Sequence, residues 1–111
     1  MTIPQYNNNV VPGPALRNAK EHPDKVYLIS RFNDRGVKTP DELHSLTWGQ
    51  TDRLVRDLCK GLQALGFNRY DRIAAFGPNC PRWIVACMSG ITLGGVHVPI
   101  YPNSKEEDVG W

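Results

Sequence analysis

Apolar positions recur at helical spacing most clearly between residues 48 and 65. In "TWGQTDRLVRDLCKGLQALGF", Trp48, Thr51, Val55, Leu58, Leu62 and Leu65 fall on one stripe, and Leu54 and Cys59 widen it. The opposite face carries Asp52 with Arg56 and Arg53 with Asp57, each at i,i+4. Thr47 and Gln50 have capping-box spacing, and Gly66 offers a stop. The pattern predicts a helix over 48–65.

The flanking segments switch between periods. "GPALRNAKEHPDK" places Pro14 at a first helical position and Pro23 beyond a last one, predicting a short helix over 14–21. "KVYLISRF", residues 25–32, is β-rich and reads as a strand. A polar loop with Gly36 and Pro40 follows, and Leu46–Thr47 is placed to return as a hairpin. "RIAAFG", residues 72–77, is a short apolar strand. Residues 81–93 form a helix that is apolar nearly all round, as in one buried on more than one side. Gly94 and Gly95 break it, and "VHVPI", residues 96–100, is the next strand. Two strands joined by one helix over about 30 residues make a βαβ unit, which calls for parallel strands and a right-handed crossover. Pro99 removes a ladder donor, so its strand is expected at an edge or bulged there.

The end of the chain starts another helix. In "VPIYPNSKEEDVGW", residues 98–111, Ser104 stands as the cap with Glu107 three residues on, and acidic residues fill the first turn where the dipole favours them. This helix begins a crossover with no strand after it, so the chain reads as the front of a longer polypeptide. Residues 104–111 are expected to be frayed or held by a neighbouring chain. Residues 1–13 read as a flexible N-terminal segment, and 14–111 as one partial α/β unit.

Composition narrows the function classes. The 111 residues are 41% apolar and 22% charged, with a net charge of +2, too slight for a nucleic-acid surface. Cys59, Cys80 and Cys87 are odd in number and form no CxxC pair, which argues against a disulfide framework and a zinc site and for reduced thiols in a cytoplasmic protein. The opening "MTIPQYNNNVVP" lacks a basic segment followed by an apolar run, so no signal peptide is read there. The uncharged stretch 83–101 has the length of a membrane span, but Gly90, Gly94, Gly95 and Pro99 fit helix, turn and strand better.

Candidate chemistry is sparse. "FGPNCPRW", residues 76–83, leaves a strand and enters a helix, the place where α/β proteins bind phosphate. Yet GxGxxG is absent, Pro81 removes an amide donor, and no Lys-Ser/Thr pair follows. A structural turn capped by Asn79 or Cys80 is the favoured reading. His22 and His44 lie in polar loops, whereas His97 lies in an apolar strand and is expected to be a hydrogen-bonded structural residue. No triad or ligand set is visible, and Cys59 reads as core.

The order of these elements carries a resemblance. "LTW" opens the long helix, "GLQALG" closes it, and "DRIAAFGPN", "RW" and "GGVHVPIYP" follow. With "HPDKVYLI" upstream, residues 14–111 resemble the N-terminal region of AMP-forming acyl-CoA synthetases, in the adenylate-forming superfamily. The ending "VPIYPNS…W" looks most like the long-chain fatty acid–CoA ligase branch. Members often have Ser and Glu where this chain has Cys80 and Arg82. Sulfur is a poor cap acceptor and a cation is unfavourable in a first turn, so Asn79 is the candidate to take over the cap.

The resemblance implies an α/β fold: the βαβ-containing N-terminal portion of the large domain, with an incomplete sheet and packed helices. It implies a parent enzyme that uses ATP, Mg²⁺ and CoA. A fatty acid carboxylate attacks the α-phosphate of ATP, and CoA then displaces AMP. The phosphate loop, the ribose-binding acid and the catalytic Lys of such enzymes come later in the chain. The resemblance therefore assigns no catalytic, cofactor-binding or metal residue within 1–111. The expected partner is the remainder of the same polypeptide, with self-association through uncovered apolar surface, no nucleic acid and no transmembrane segment. A cytoplasmic location follows, with peripheral membrane association through the parent enzyme. Two other classes stay open from the residues alone: a stand-alone small-ligand or nucleotide-binding module, and a protein-interaction domain.

Overall fold

The computed structural model describes residues 12–110. The expectations for residues 1–11 and for Trp111 lie outside the described residues. The elements are α1 (Pro12–Glu21), β1 (Val26–Ser30), β2 (His44–Thr47), α2 (Trp48–Ala64), β3 (Arg72–Phe76), α3 (Pro81–Thr92), β4 (Val96–Ile100) and α4 (Glu106–Val109). Strands β1 and β2 pair antiparallel, with Leu28 opposite Leu46 and Ser30 opposite His44. Strands β3 and β4 pair in parallel, with Ile73 opposite His97 and Ala75 opposite Pro99. The expected hairpin and the parallel βαβ unit are both present.

The long helix forms for the reasons its sequence suggests. Thr47 accepts from the Gln50 amide, and the Gln50 side chain accepts from the Thr47 amide, a complete capping box. Arg56 reaches Asp52 at 2.8 Å, but no ion pair joins Arg53 to Asp57 among the described residues. The stripe ends sooner than its spacing suggests. Leu65 is 87% exposed. The cause is the stop: Gly66 takes φ +94°, its amide donates to Gln63, and the Phe67 amide donates to Leu62. This Schellman turn swings Phe67 back against the core in Leu65's place.

Helix α3 ends in the same motif. Gly94 has φ +77° and donates to Ile91, and Gly95 donates to Gly90. Gly95 is fixed by space as well, since a Cβ there would lie 2.5 Å from the Phe67 ring and 2.8 Å from the Asp71 carbonyl. The two helix ends thus pack on each other through Phe67 and Gly95.

The core lies between α2 and α3. Val55, Cys59, Val85 and Leu93 are buried, and Leu58, Leu62, Phe67 and Met88 pack on them. Polar residues sit at the helix crossing. The buried Ser89 hydroxyl donates to Val85 at 2.7 Å and to Val55 at 3.3 Å, and the Cys59 thiol donates to the Ser89 carbonyl at 3.6 Å. Tyr27 stacks on Trp48, ring centroids 3.7 Å apart, which seats the hairpin on the start of α2.

Several boundaries differ from the sequence reading. Helix α1 starts at Pro12, so Pro12 and Pro14 both sit in the first turn, where missing amides have no intrahelical partner to lose. Strand β2 is longer than its last two residues, reaching back to His44. Helix α4 starts at Glu106, so Ser104 stands too early to be its cap; the Ser104 amide instead closes a turn on Tyr101. Pro99 is accommodated as anticipated, because β4 has β3 as its one ladder partner among the described residues. Helix α3 covers the sheet face that carries Ile73, Ala75 and His97. On the other face Phe76 is 62%, Val96 50% and Val98 37% exposed.

Candidate functional site

The turn from β3 into α3 is built by Gly77 to Pro81. Cys80 is the residue before the first turn, in extended conformation, and its thiol makes no capping bond. Asn79 makes none among the described residues either, so it does not take over the cap. Pro81 fits the first helical position because its ring fixes a helical φ and it needs no amide. The amides of Trp83 and Ile84 already donate to the Cys80 carbonyl, at 3.0 and 3.3 Å. A phosphate here would have to compete with the Cys80 carbonyl for those two amides, and Pro81 offers none.

Arg82 leaves this turn and crosses to the hairpin. Its Nε and Nη2 donate to the Asp34 carbonyl at 3.2 and 2.6 Å. The receiving loop is tightly wound: Asn33 Oδ1 accepts from the amides of Arg35 and Val37, and Gly36 turns with φ +77°. Under this bridge lies a cleft of about 610 Å³. Its walls are Phe32, Leu46, Leu54, Leu58, Pro81 and Val85, and its polar groups are Asn33, Asp34, His44, Ser45 and Arg82. His44 Nε2 meets Thr39 Oγ1 at 2.7 Å and Glu42 at 3.7 Å.

The histidines are not brought together. His22 follows α1, His44 begins β2, and His97 lies in β4. His97 is not hydrogen-bonded as the sequence reading expected. Both ring nitrogens are shielded from solvent and lack a partner among the described residues. The ring stands edge-on to Trp83, centroids 4.9 Å apart, so packing rather than hydrogen bonding sets its orientation. All three cysteines are free thiols. Burial pushes the Cys59 thiol up, against a smaller opposite effect of the Ser89 side chain, and burial pushes Cys87 up as well. Among the described residues no three His, Cys, Asp or Glu side chains gather to hold a metal ion. No helix is long and apolar enough to cross a membrane, and stretch 83–101 divides into α3, a turn and β4.

Sequence reasoning missed the cleft. Its signals were Leu54, on the margin of the α2 stripe and 44% exposed, and Arg82, a cation in a first turn that disfavours one.

Comparisons with known proteins place this arrangement. Residues 16–111 match the model of the AMP-binding enzyme family. An acetyl-coenzyme A synthetase of Phycomyces blakesleeanus is 28% identical over 91 residues, 82% of this chain and 13% of that protein. A long-chain-fatty-acid–CoA ligase of Mycobacterium bovis is 28% identical over 110 residues, 99% of this chain and 17% of that protein. The acetoacetyl-CoA synthetase structure from Streptomyces lividans superposes with a TM-score of 0.75 at 32% identity, over 86% of this chain and 14% of that one. The chain thus spans under a fifth of the length of these relatives. With the family model matched from α1 through α4, this chain belongs to the AMP-binding enzyme family.

Proposed function

We propose that residues 14–111 form the first part of the large domain of an AMP-forming acid–CoA ligase, and that the acid is a long-chain fatty acid. The observation that carries the reading is the family match over residues 16–111, which takes in the whole β3–α3–β4 unit. Support for the long chain comes from the ending "VPIYPNS…W" and from the Mycobacterium bovis relative, which aligns over 99% of this chain, against 82% for the acetyl-coenzyme A synthetase.

The role of these residues in the parent enzyme is to build and hold sheet. ATP, Mg²⁺ and CoA supply the activation and the thiol acceptor. Support for placing their sites in other residues comes from the α3 turn, where Pro81 has no amide and those of Trp83 and Ile84 are engaged, and from the absence of any group of three His, Cys, Asp or Glu side chains among the described residues. No step is assigned to a residue of this chain. A parallel sheet is ordinarily covered on both faces. The bare face with Phe76, Val96 and Val98 is the one that further polypeptide would cover, and in its absence a second copy of the chain would. Three free thiols support a reducing, cytoplasmic setting.

The test is ATP–pyrophosphate exchange by the polypeptide obtained when its coding sequence is read on past Trp111, with palmitate and acetate compared. Exchange driven by palmitate is expected. Exchange driven by acetate alone would overturn the long-chain assignment, and exchange with neither acid would overturn the ligase reading.

A further inference from the structure

We infer that His97 makes the seat of α3 on the β3–β4 sheet proton-sensitive: the neutral imidazole packs in place, and the imidazolium forces the helix off the strand. Two contacts set that seat. At Gly90 a Cβ would collide with the Ile73 side chain, so α3 lies close on β3. On β4 the His97 ring meets Trp83 edge-on, centroids 4.9 Å apart. Ile73 and His97 are register partners, so both contacts fall on one face of the sheet. Both His97 nitrogens are closed to solvent by this chain's own atoms and meet no hydrogen-bond partner among the described residues. Further polypeptide laid on this unit adds cover and cannot touch an atom that water cannot touch, so the enclosure is the same whatever else covers the domain.

A neutral imidazole has one N–H and one acceptor nitrogen, and the packing bears the cost of leaving both unpaired. An imidazolium has two N–H groups and a charge. The elements packed on β4 are β3 and α3, and their charged groups point elsewhere. Arg72 of β3 is the register partner of Val96 and so lies on the other face. Asp71, just before β3, accepts the Asn68 amide with its carboxylate. Arg69 lies against Gly94, with its guanidinium over the Tyr70 ring. Arg82 of α3 reaches the Asp34 carbonyl. Cys87 of α3 is held as a neutral thiol by burial, and Tyr101 after β4 is exposed. The indole face attracts a cation but leaves an N–H without an acceptor. A proton therefore enters when α3 lifts and the ring meets water, and once there it holds the lifted state. The lifted or unfolded chain binds one proton more than the closed one, so this contribution to stability falls as pH falls.

The experiment follows urea unfolding and nitrogen-15 NMR spectra of the 111-residue chain from about pH 8 to about pH 5, the span in which imidazoles take up a proton. Over this span the folding equilibrium constant is expected to fall roughly tenfold further in the native chain than in His97→Phe, which keeps an aromatic ring there without a titrating nitrogen. His97→Leu is expected to show the same flattened dependence, and it serves if the larger ring does not fit. A chain carrying both His22→Gln and His44→Gln is expected to keep the full dependence, because His22 is exposed and His44 has Glu42 at 3.7 Å to receive its charge. The Trp83 indole resonance is expected to shift in step with protonation of His97. Equal pH dependence in the native chain and in both His97 variants would overturn the inference. So would a protonated His97 that leaves the Trp83 resonance where it was.

Discussion

Ser89 of α3 and Cys59 of α2 link the two core helices: the Cys59 thiol donates to the Ser89 carbonyl, and both residues are fully buried. The Ser89 hydroxyl, in turn, donates to Val55 one helical turn before Cys59. Small polar residues at this crossing let the helices approach while every buried donor is satisfied. Ser89→Ala is expected to cost about 1 kcal/mol, the loss of one net hydrogen bond. Ser89→Leu is expected to cost about 3 kcal/mol by overpacking the crossing. Urea denaturation followed by circular dichroism measures both.

The buried thiols predict an alkaline limb of instability. Burial raises the Cys59 and Cys87 thiols above their ordinary value of 9.0, so the folded chain keeps protons that the unfolded chain releases. The stabilisation is full below pH 9 and is lost as pH rises through the folded values. Unfolding midpoints from pH 7 to 11 are expected to fall above pH 9, with a shallower fall in Cys59→Ala. Ellman's reagent is expected to modify Cys59 last of the three cysteines.

Tyr70 sets a third expectation. It has φ +72°, a conformation that disfavours a bulky side chain, and its own side chain is 73% exposed. Tyr70→Gly relieves the strain at some cost in chain entropy, for a net gain of about 0.5–1 kcal/mol in thermal or urea unfolding. A loss of stability would show that the Arg69 guanidinium, 5.0 Å from the Tyr70 ring centroid, matters more than the backbone.

The helix ends give a fourth. Gly95→Ala is expected to destabilise by about 1–3 kcal/mol, because the new Cβ meets the Phe67 ring and the Asp71 carbonyl together. Thr47→Ala is expected to cost about 1 kcal/mol by removing half of the capping box. Far-UV circular dichroism at increasing temperature ranks the two.

Local signals carried most of the fold. Thr47 with Gln50, and the glycines at 66 and 94, act through bonds to near neighbours, so their spacing alone marks where α2 starts and where both helices stop. The β3–α3–β4 unit was legible because its punctuation and its apolar runs agree. Long-range contacts were not legible. Leu65 lost its place to Phe67 because a Schellman turn reverses the chain after the stripe ends. His97 lost its expected hydrogen bond to an edge-on contact with Trp83, set by how α3 lies on the sheet. The cleft depends on an Arg82–Asp34 bridge 48 residues apart in sequence, a pairing that no local periodicity encodes.

The central claim is that these residues scaffold a ligase whose chemistry lies in other residues. ATP–pyrophosphate exchange on the 111-residue chain, with saturating ATP, Mg²⁺ and palmitate, tests it most directly. The account predicts no palmitate-dependent exchange from this chain alone and its appearance when the downstream polypeptide is present. Palmitate-dependent exchange by the 111 residues by themselves would contradict it.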